Sequence, residues 1–397
     1  MSDTYTGIEA DAMAAAPSPG RLPRVLQVLP ALGAGGVERT AVDVAGGLTA
    51  EGVETFVASE GGRLVHDLER VSAQHITLPL ATKNPLRLRA NVRRLRALVR
   101  EHGIELIHAR SRAPAWSARS AARAEGLPFV TTYAGTYNED FPGKRRYNAI
   151  MASGDVVIAN SHFIAGHVRE RYPAVADRLV TIPRGIDIDL FDPARVSQER
   201  VIAMAKAWRL PDGLPVILLP GRLTRWKGHS FLVDALAKLG HHDFVCYFVG
   251  DDQGRSKYRT ELEDKIGHVG LGGSIRIVEH CRDMAAAYML ADVVVAPSLD
   301  PEAFGRIPVE AQAMGRPVVV TDHGGFRETV IPGETGLLVP PGDVDALAAA
   351  IQDALNLDAS ARAALAPHAR AHVAQTWTVE RMVASTLDVY RGLMAGR

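Results

Sequence analysis

The sequence predicts an α/β fold in which two doubly wound domains stand in tandem and face one another across a cleft. Three observations lead there. Strand-like apolar segments alternate with helical ones along nearly the whole chain, the pattern of βα units and parallel sheets. The rhythm breaks once, in a polar stretch from residue 186 to about 197 within a linker expected near 186–212, and then begins again. At 397 residues the chain also exceeds one ordinary hydrophobic core.

In the first half, strands are expected at 25–29, 55–58, 104–108, 129–133, 156–159 and 179–182, with helices such as 37–48 and 114–125 between them. After the break, strands are expected at 216–219, 244–249, 275–278, 293–296 and 318–321, with helices at 230–239, 284–290 and 309–314. Residues 336–343 read as a short edge element and turn, with Asp343 capping the next helix. The pattern is Rossmann-like twice over, in residues 21–190 and again in 191–375. Residues 376–397 are expected to form a helix that packs back towards the first domain. Residues 1–20, rich in Ala, Ser, Pro and Gly, are expected to be a disordered tail. In such sheets ligands bind at the carboxyl ends of the strands, so a ligand of two facing domains belongs in the cleft.

Lys+Arg and Asp+Glu balance at 45 each, which argues against a nucleic-acid binder. Hydrophobic content of 47% and charged content of 23% are those of a soluble globular protein. Two cysteines, Cys246 and Cys281, provide no disulfide framework and fit a reducing cytoplasm. No apolar run reaches the roughly 18 residues of a spanning helix, and residues 1–20 lack a signal-peptide pattern.

Three motifs carry chemistry. Residues 301–311 form an E-x7-E pattern, with Glu302 in a loop after an apolar strand and Glu310 inside the following helix. That helix is expected to start near Gly305, with Pro308 in its first turn and Gly315 at its end. The backbone N–H groups of about Gly305 to Ile307 are then unpaired, and such a helix start binds phosphate. A carboxylate beside a phosphate site, with a second one farther along, suits a sugar nucleotide. The second motif, Gly33-Ala34-Gly35-Gly36 between the first strand and its helix, allows a phosphate or sugar to approach the backbone. It is not G-x-G-x-x-G, which weakens a nicotinamide-dinucleotide reading. The third, Gly221-Arg222-Leu223-Thr224-Arg225-Trp226-Lys227-Gly228, projects Arg222 and Lys227 at a strand's carboxyl end, two cations able to neutralise a diphosphate leaving group. No H-E-x-x-H, Cys/His cluster or Asp-x-Asp motif signals a metal.

Taken in order, these motifs resemble the retaining glycosyltransferases of family four, which have the two-Rossmann-domain GT-B architecture. Ala159-Asn160-Ser161, Pro183-Arg184-Gly185-Ile186-Asp187, Gly315-Arg316-Pro317-Val318-Val319, Gly324-Gly325 with Glu328, and Gly336-Leu337-Leu338-Val339 add to the match. The resemblance covers about residues 24 to 395. It implies an acceptor domain followed by a donor domain, and transfer of a sugar from a UDP-, GDP- or ADP-linked donor without metal or further cofactor. It implies that Arg222 and Lys227 hold the donor diphosphate and stabilise its departing charge. Glu302 is implied beside the donor sugar, the amides of Phe304, Gly305, Arg306 and Ile307 at its hydroxyls and phosphates, and Glu310 at the ribose. Gly35 and Gly36 would bring the first domain's backbone to the phosphate or sugar.

The chain departs from the family at one point. Many relatives carry a histidine in a Thr-x-His-Gly pattern after the fifth strand, where this chain has Tyr133-Ala134-Gly135-Thr136-Tyr137-Asn138. Tyr133, Ala134, Gly135, Tyr137 and Asn138 are the expected acceptor side of the cleft. The Gly-Thr-Tyr-Asn continuation resembles members that build cell-surface polysaccharide, so the implied acceptor is a lipopolysaccharide core or another lipid-linked glycan. Residues 83–100 hold seven basic and no acidic residues, and Lys144-Arg145-Arg146 adds a second cluster. Both point to an anionic membrane surface and a peripheral position on the cytoplasmic face of the inner membrane. Two alternatives stay open: a sugar-nucleotide epimerase or hydrolase of the same fold, and an inactive nucleotide-sugar-binding homologue.

Overall fold

The computed structural model describes residues 21–33, 35–254 and 256–395; the tail expected at 1–20 lies outside them. Seven strands build the first sheet: β1 (Val25–Val28), β2 (Thr55–Ser59), β3 (Gln74–Thr77), β4 (Leu106–Ala109), β5 (Phe129–Tyr133), β6 (Val156–Ala159) and β7 (Leu179–Thr181). Their order is β3-β2-β1-β4-β5-β6-β7, and every pairing is parallel. The second sheet has β8 (Val216–Pro220), β9 (Val245–Val249), β10 (Ile275–Val278), β11 (Val293–Ala296), β12 (Val318–Thr321) and β13 (Leu337–Val339). Its order is β10-β9-β8-β11-β12-β13, again all parallel. In both sheets the strand order reverses beside the first strand, between β1 and β4 and between β8 and β11. These are the switch points at which such folds bind ligands.

Helices cover both faces of each sheet, so most strands are buried on both sides and read as continuous apolar runs. The edge strands β3, β7, β10 and β13 are less buried, and β3 is the most polar of them. Gln74-His75-Ile76-Thr77 is a partly exposed edge strand of mixed polarity, and the apolar alternation gives no strand there.

The segment expected as a linker near 186–212 is not bare. It contains the helix Gln198–Ala207, which packs on the helix Met284–Leu290. Ile186, Phe191, Val196 and Trp208 are buried in the second domain's core, with the Trp208 and Tyr247 rings 4.8 Å apart. The chain crosses back at Trp377, where Ile186 and Thr378 form a parallel bridge. The final helix, Val379–Ala395, then lies against the first domain's helix Gly36–Ala50, burying Met382, Leu387 and Tyr390 beside Val25, Val44 and Leu106.

Candidate active site

A cleft of about 970 Å³ opens between the domains at the carboxyl ends of both sheets. On the second domain, β8 runs into a tight turn, Arg225–Lys227, that ends at Gly228 with φ +76°. The turn delivers Lys227 to the loop that follows β11. There the Lys227 ammonium pairs with the Glu302 carboxylate, which also accepts from Ser298 Oγ at 3.0 Å. The two paired side chains are 13% and 14% exposed, so water screens them little. Arg222 lines the same cleft from an exposed position and donates to Gln253 at 3.3 Å.

Three residues past Glu302 the backbone turns left-handed at Gly305, φ +90°, and the helix Arg306–Ala313 begins without a side-chain cap. Its first N–H groups therefore stay open at the edge of the cleft, which Phe304, Gly305, Arg306 and Ile307 all line. Phe304 itself is 2% exposed, its ring edge-on to Trp377 at 5.5 Å, so what it offers the cleft is backbone.

Glu310 does not reach the cleft. One carboxylate oxygen pairs with the Arg306 guanidinium and the other accepts from the Tyr288 hydroxyl at 2.9 Å. The residue is 8% exposed and stands behind Arg306. The i,i+4 spacing inside the helix places Glu310 one turn from Arg306, and that cation takes it.

On the first domain, Gly33, Gly35 and Gly36 line the cleft together with Val37 and Glu38. Arg184 closes over Gly36, its Nη1 only 2.7 Å from where a Cβ would sit. Burial, reinforced by the nearby positive charge of Arg306, pushes the Arg184 guanidinium down to about 10. Arg184 was not among the site residues expected from the sequence, although its Pro-Arg-Gly motif was visible. Arg112 is another such residue. Its guanidinium lies 4.1 Å from the Tyr137 ring centroid and donates to Asn148 Oδ1 at 2.7 Å.

Ala134, Gly135, Thr136, Tyr137 and Asn138 line the first-domain side of the cleft, where the acceptor is expected. Tyr133 does not. It is fully buried in the first domain, 4.6 Å from the Tyr137 ring and packed near His167 and Tyr172. As the last residue of β5 its side chain points opposite to that of Ala134. Beneath Ala134 a small cavity has room for about one water molecule. Arg110 and Asn160 line it, both buried, and neither Arg110 Nη2 nor Asn160 Oδ1 has a hydrogen-bond partner in the protein. Among the described residues no three His, Cys, Asp or Glu side chains are grouped to hold a metal ion.

Two doubly wound domains presenting their strand ends to one cleft, with a Lys–Glu pair beside an open helix start, define the GT-B class of glycosyltransferases. Comparison with known proteins agrees. The model of the glycosyl transferases group 1 matches residues 202–372, and that of glycosyltransferase family 4 matches residues 34–190. A D-inositol 3-phosphate glycosyltransferase of Corynebacterium urealyticum is 30% identical over 331 residues, 78% of this chain and 77% of that protein. The crystal structure of a glycosyltransferase from Rickettsia africae superposes with a TM-score of 0.87 at 34% identity, covering 95% of this chain and all of that one. Anabaena HepE in complex with UDP-glucose superposes with a TM-score of 0.79 at 25% identity, over 92% of this chain and all of that one. The chain belongs to the family 4 glycosyltransferases, and it is a glycosyltransferase.

Proposed function

We propose that the protein transfers a hexose, with retention, from a nucleoside-diphospho-sugar to a lipid-linked glycan at the membrane surface. The observation that carries the donor half is the Lys227–Glu302 pair at the open start of the helix Arg306–Ala313. A diphosphate seated there meets the N–H groups of that helix, with Arg222 and Lys227 as counter-charges, so its negative charge is matched by the chain's own groups. Glu302 then faces the sugar. HepE holds UDP-glucose, which favours a uridine nucleotide. Addition of EDTA is expected to leave the rate unchanged.

The acceptor half rests on the rim of the first domain. In the helix Pro85–His102, Leu95 and Val99 face the core while Arg87, Arg89 and Arg93 are exposed. Arg96 and Arg100 are held by Glu125 and contribute less outward charge. Leu86 is 73% exposed at the start of this helix and Phe141 61% exposed near Lys144, with the Lys144 ammonium 5.1 Å from the Phe141 ring. Exposed apolar tips among basic side chains suit an anionic lipid surface. Among the described residues no helix is long and apolar enough to cross a membrane.

A second reading has a specific basis. The C. urealyticum relative is named for inositol 3-phosphate, a small phosphorylated polyol rather than a lipid. Incubation with radiolabelled UDP-glucose, and either membrane lipid extract or inositol phosphate, separates the two. Label in the lipid phase supports the first reading and label on the polyol the second. Free glucose in both would sink transfer to either acceptor.

A further inference from the structure

Two polar groups tie the domains together at the loop that carries Glu302. Glu328 belongs to the short helix Phe326–Thr329, which follows β12 in the second domain. Its carboxylate accepts from two backbone N–H groups of the first domain, His162 at 2.9 Å and Phe163 at 2.5 Å. These are the first two residues of the helix His162–Arg171, whose start carries partial positive charge. Beside them the fully buried Ser161 caps that helix, its Oγ accepting from Ile164 N–H at 3.0 Å. The same hydroxyl donates across the interface to the carbonyl of Ala303 at 2.5 Å.

Ala303 is the residue after Glu302. The other side of this loop rests on the double glycine that leads to Glu328, with Gly325 N–H donating to the Glu302 carbonyl at 2.8 Å. The loop is thus held between Gly325, in its own domain, and Ser161, in the opposite one. Neither cross-domain bond can form unless the cleft is closed to this width. We infer that Glu328 and Ser161 are positioning residues for transfer: they hold the domains closed and seat the Glu302 loop in that state. This rests on the family activity and not on the identity of donor or acceptor.

The bonds cross between domains, while Arg222, Lys227 and the Arg306–Ala313 helix start all lie within the second. Loss of the latch therefore separates closure from donor binding. In Glu328→Ala and Ser161→Ala, kcat is expected to fall about 10–100-fold, because the loop and the facing domain are no longer held in register. UDP affinity, measured by calorimetry on the full chain, should stay within about twofold. Small-angle X-ray scattering should show a larger radius of gyration in Glu328→Ala than in the native protein. Glu328→Gln, which keeps one acceptor oxygen, should recover part of the rate. The inference is overturned if Glu328→Ala leaves both scattering and kcat unchanged. It is equally overturned if UDP affinity falls in step with kcat, which would mean that the residue supports only the second domain's own fold. A native protein that neither binds UDP nor transfers sugar would count against the proposed donor, and the scattering comparison would still test the latch.

Discussion

Lys227 and Glu302 stand 75 residues apart in sequence and form one ion pair at the floor of the cleft. Neither is free to act alone. The pair holds both side chains beside the uncapped helix start where the donor diphosphate is proposed to sit. In the proposed reaction the ammonium is already in position when the leaving group's charge grows, and no solvent has to reorganise.

Replacing Lys227 by Ala is expected to lower kcat by about 10²–10³-fold, the size seen when one stabiliser of developing charge is removed. Glu302→Ala should cost a comparable factor. The double variant should be much less impaired than the product of the two, because each single change leaves a buried partner uncompensated. Steady-state rates of the three variants decide this. Strict multiplicativity would mean that the pair does not work as a unit.

Glu310 is expected to behave as a structural residue. Its carboxylate is spent on Arg306 and Tyr288, so Glu310→Ala leaves the Arg306 guanidinium without its partner. The expected loss is about 2–4 kcal/mol in the second domain, seen as a melting temperature lower by several degrees. UDP affinity should fall less than the stability loss implies. If Glu310→Gln instead kept the native melting temperature while UDP binding weakened more than about tenfold, the carboxylate would have to reach the ribose after all.

Much of this was legible in the sequence. The strand-to-helix alternation yields both sheets because buried parallel strands are apolar throughout, and the ordered motifs bring Arg222, Lys227 and Glu302 to one cleft. What stayed hidden depends on which partner a polar side chain finds. Gln74–Thr77 adds an edge strand that local hydrophobicity does not mark. Tyr133 turns inward by the period of a strand, and Glu310 is claimed by Arg306. Arg184 and Arg112 enter the site only because the fold brings them to Gly36 and Tyr137. Glu328 meets His162 and Phe163 across 166 and 165 residues of sequence, and Ser161 meets Ala303 across 142, all through bonds to backbone that no local pattern can show.

The acid limb of the stability profile should carry the signature of His229. The residue is fully buried next to Lys227, and burial, with that lysine's charge as the lesser cause, pushes its imidazole down to about 4. A folded value below the unfolded 6.5 means that the unfolded chain takes up a proton which the fold refuses. Stability is then complete above pH 6.5 and falls as the pH drops towards 4, by up to about 3 kcal/mol. Asp43 acts in the opposite sense, since burial raises its carboxyl to about 6 and the fold retains that proton as the pH falls. In His229→Gln the decline in melting temperature between pH 6.5 and 4 should become shallower, and in Asp43→Asn steeper. Identical slopes in all three proteins would rule out both assignments.

Gly305 should be the least replaceable residue of the E-x7-E segment. Its φ of +90° is one that side chains rarely adopt, and a Cβ there would lie 2.6 Å from Cδ1 of the buried Phe326 ring. Phe326 is fully buried and cannot swing away, so the strain has to go into the loop between Glu302 and Arg306. Gly305→Ala is expected to cost about 2–4 kcal/mol from backbone strain and overpacking together. Because the displaced N–H groups are those expected to meet the donor phosphates, UDP affinity should drop with stability in this variant. Gly272→Ala, at a position with open space around it, is the control and should do neither. Retained UDP affinity in a folded Gly305→Ala protein would move the phosphate site away from the helix start.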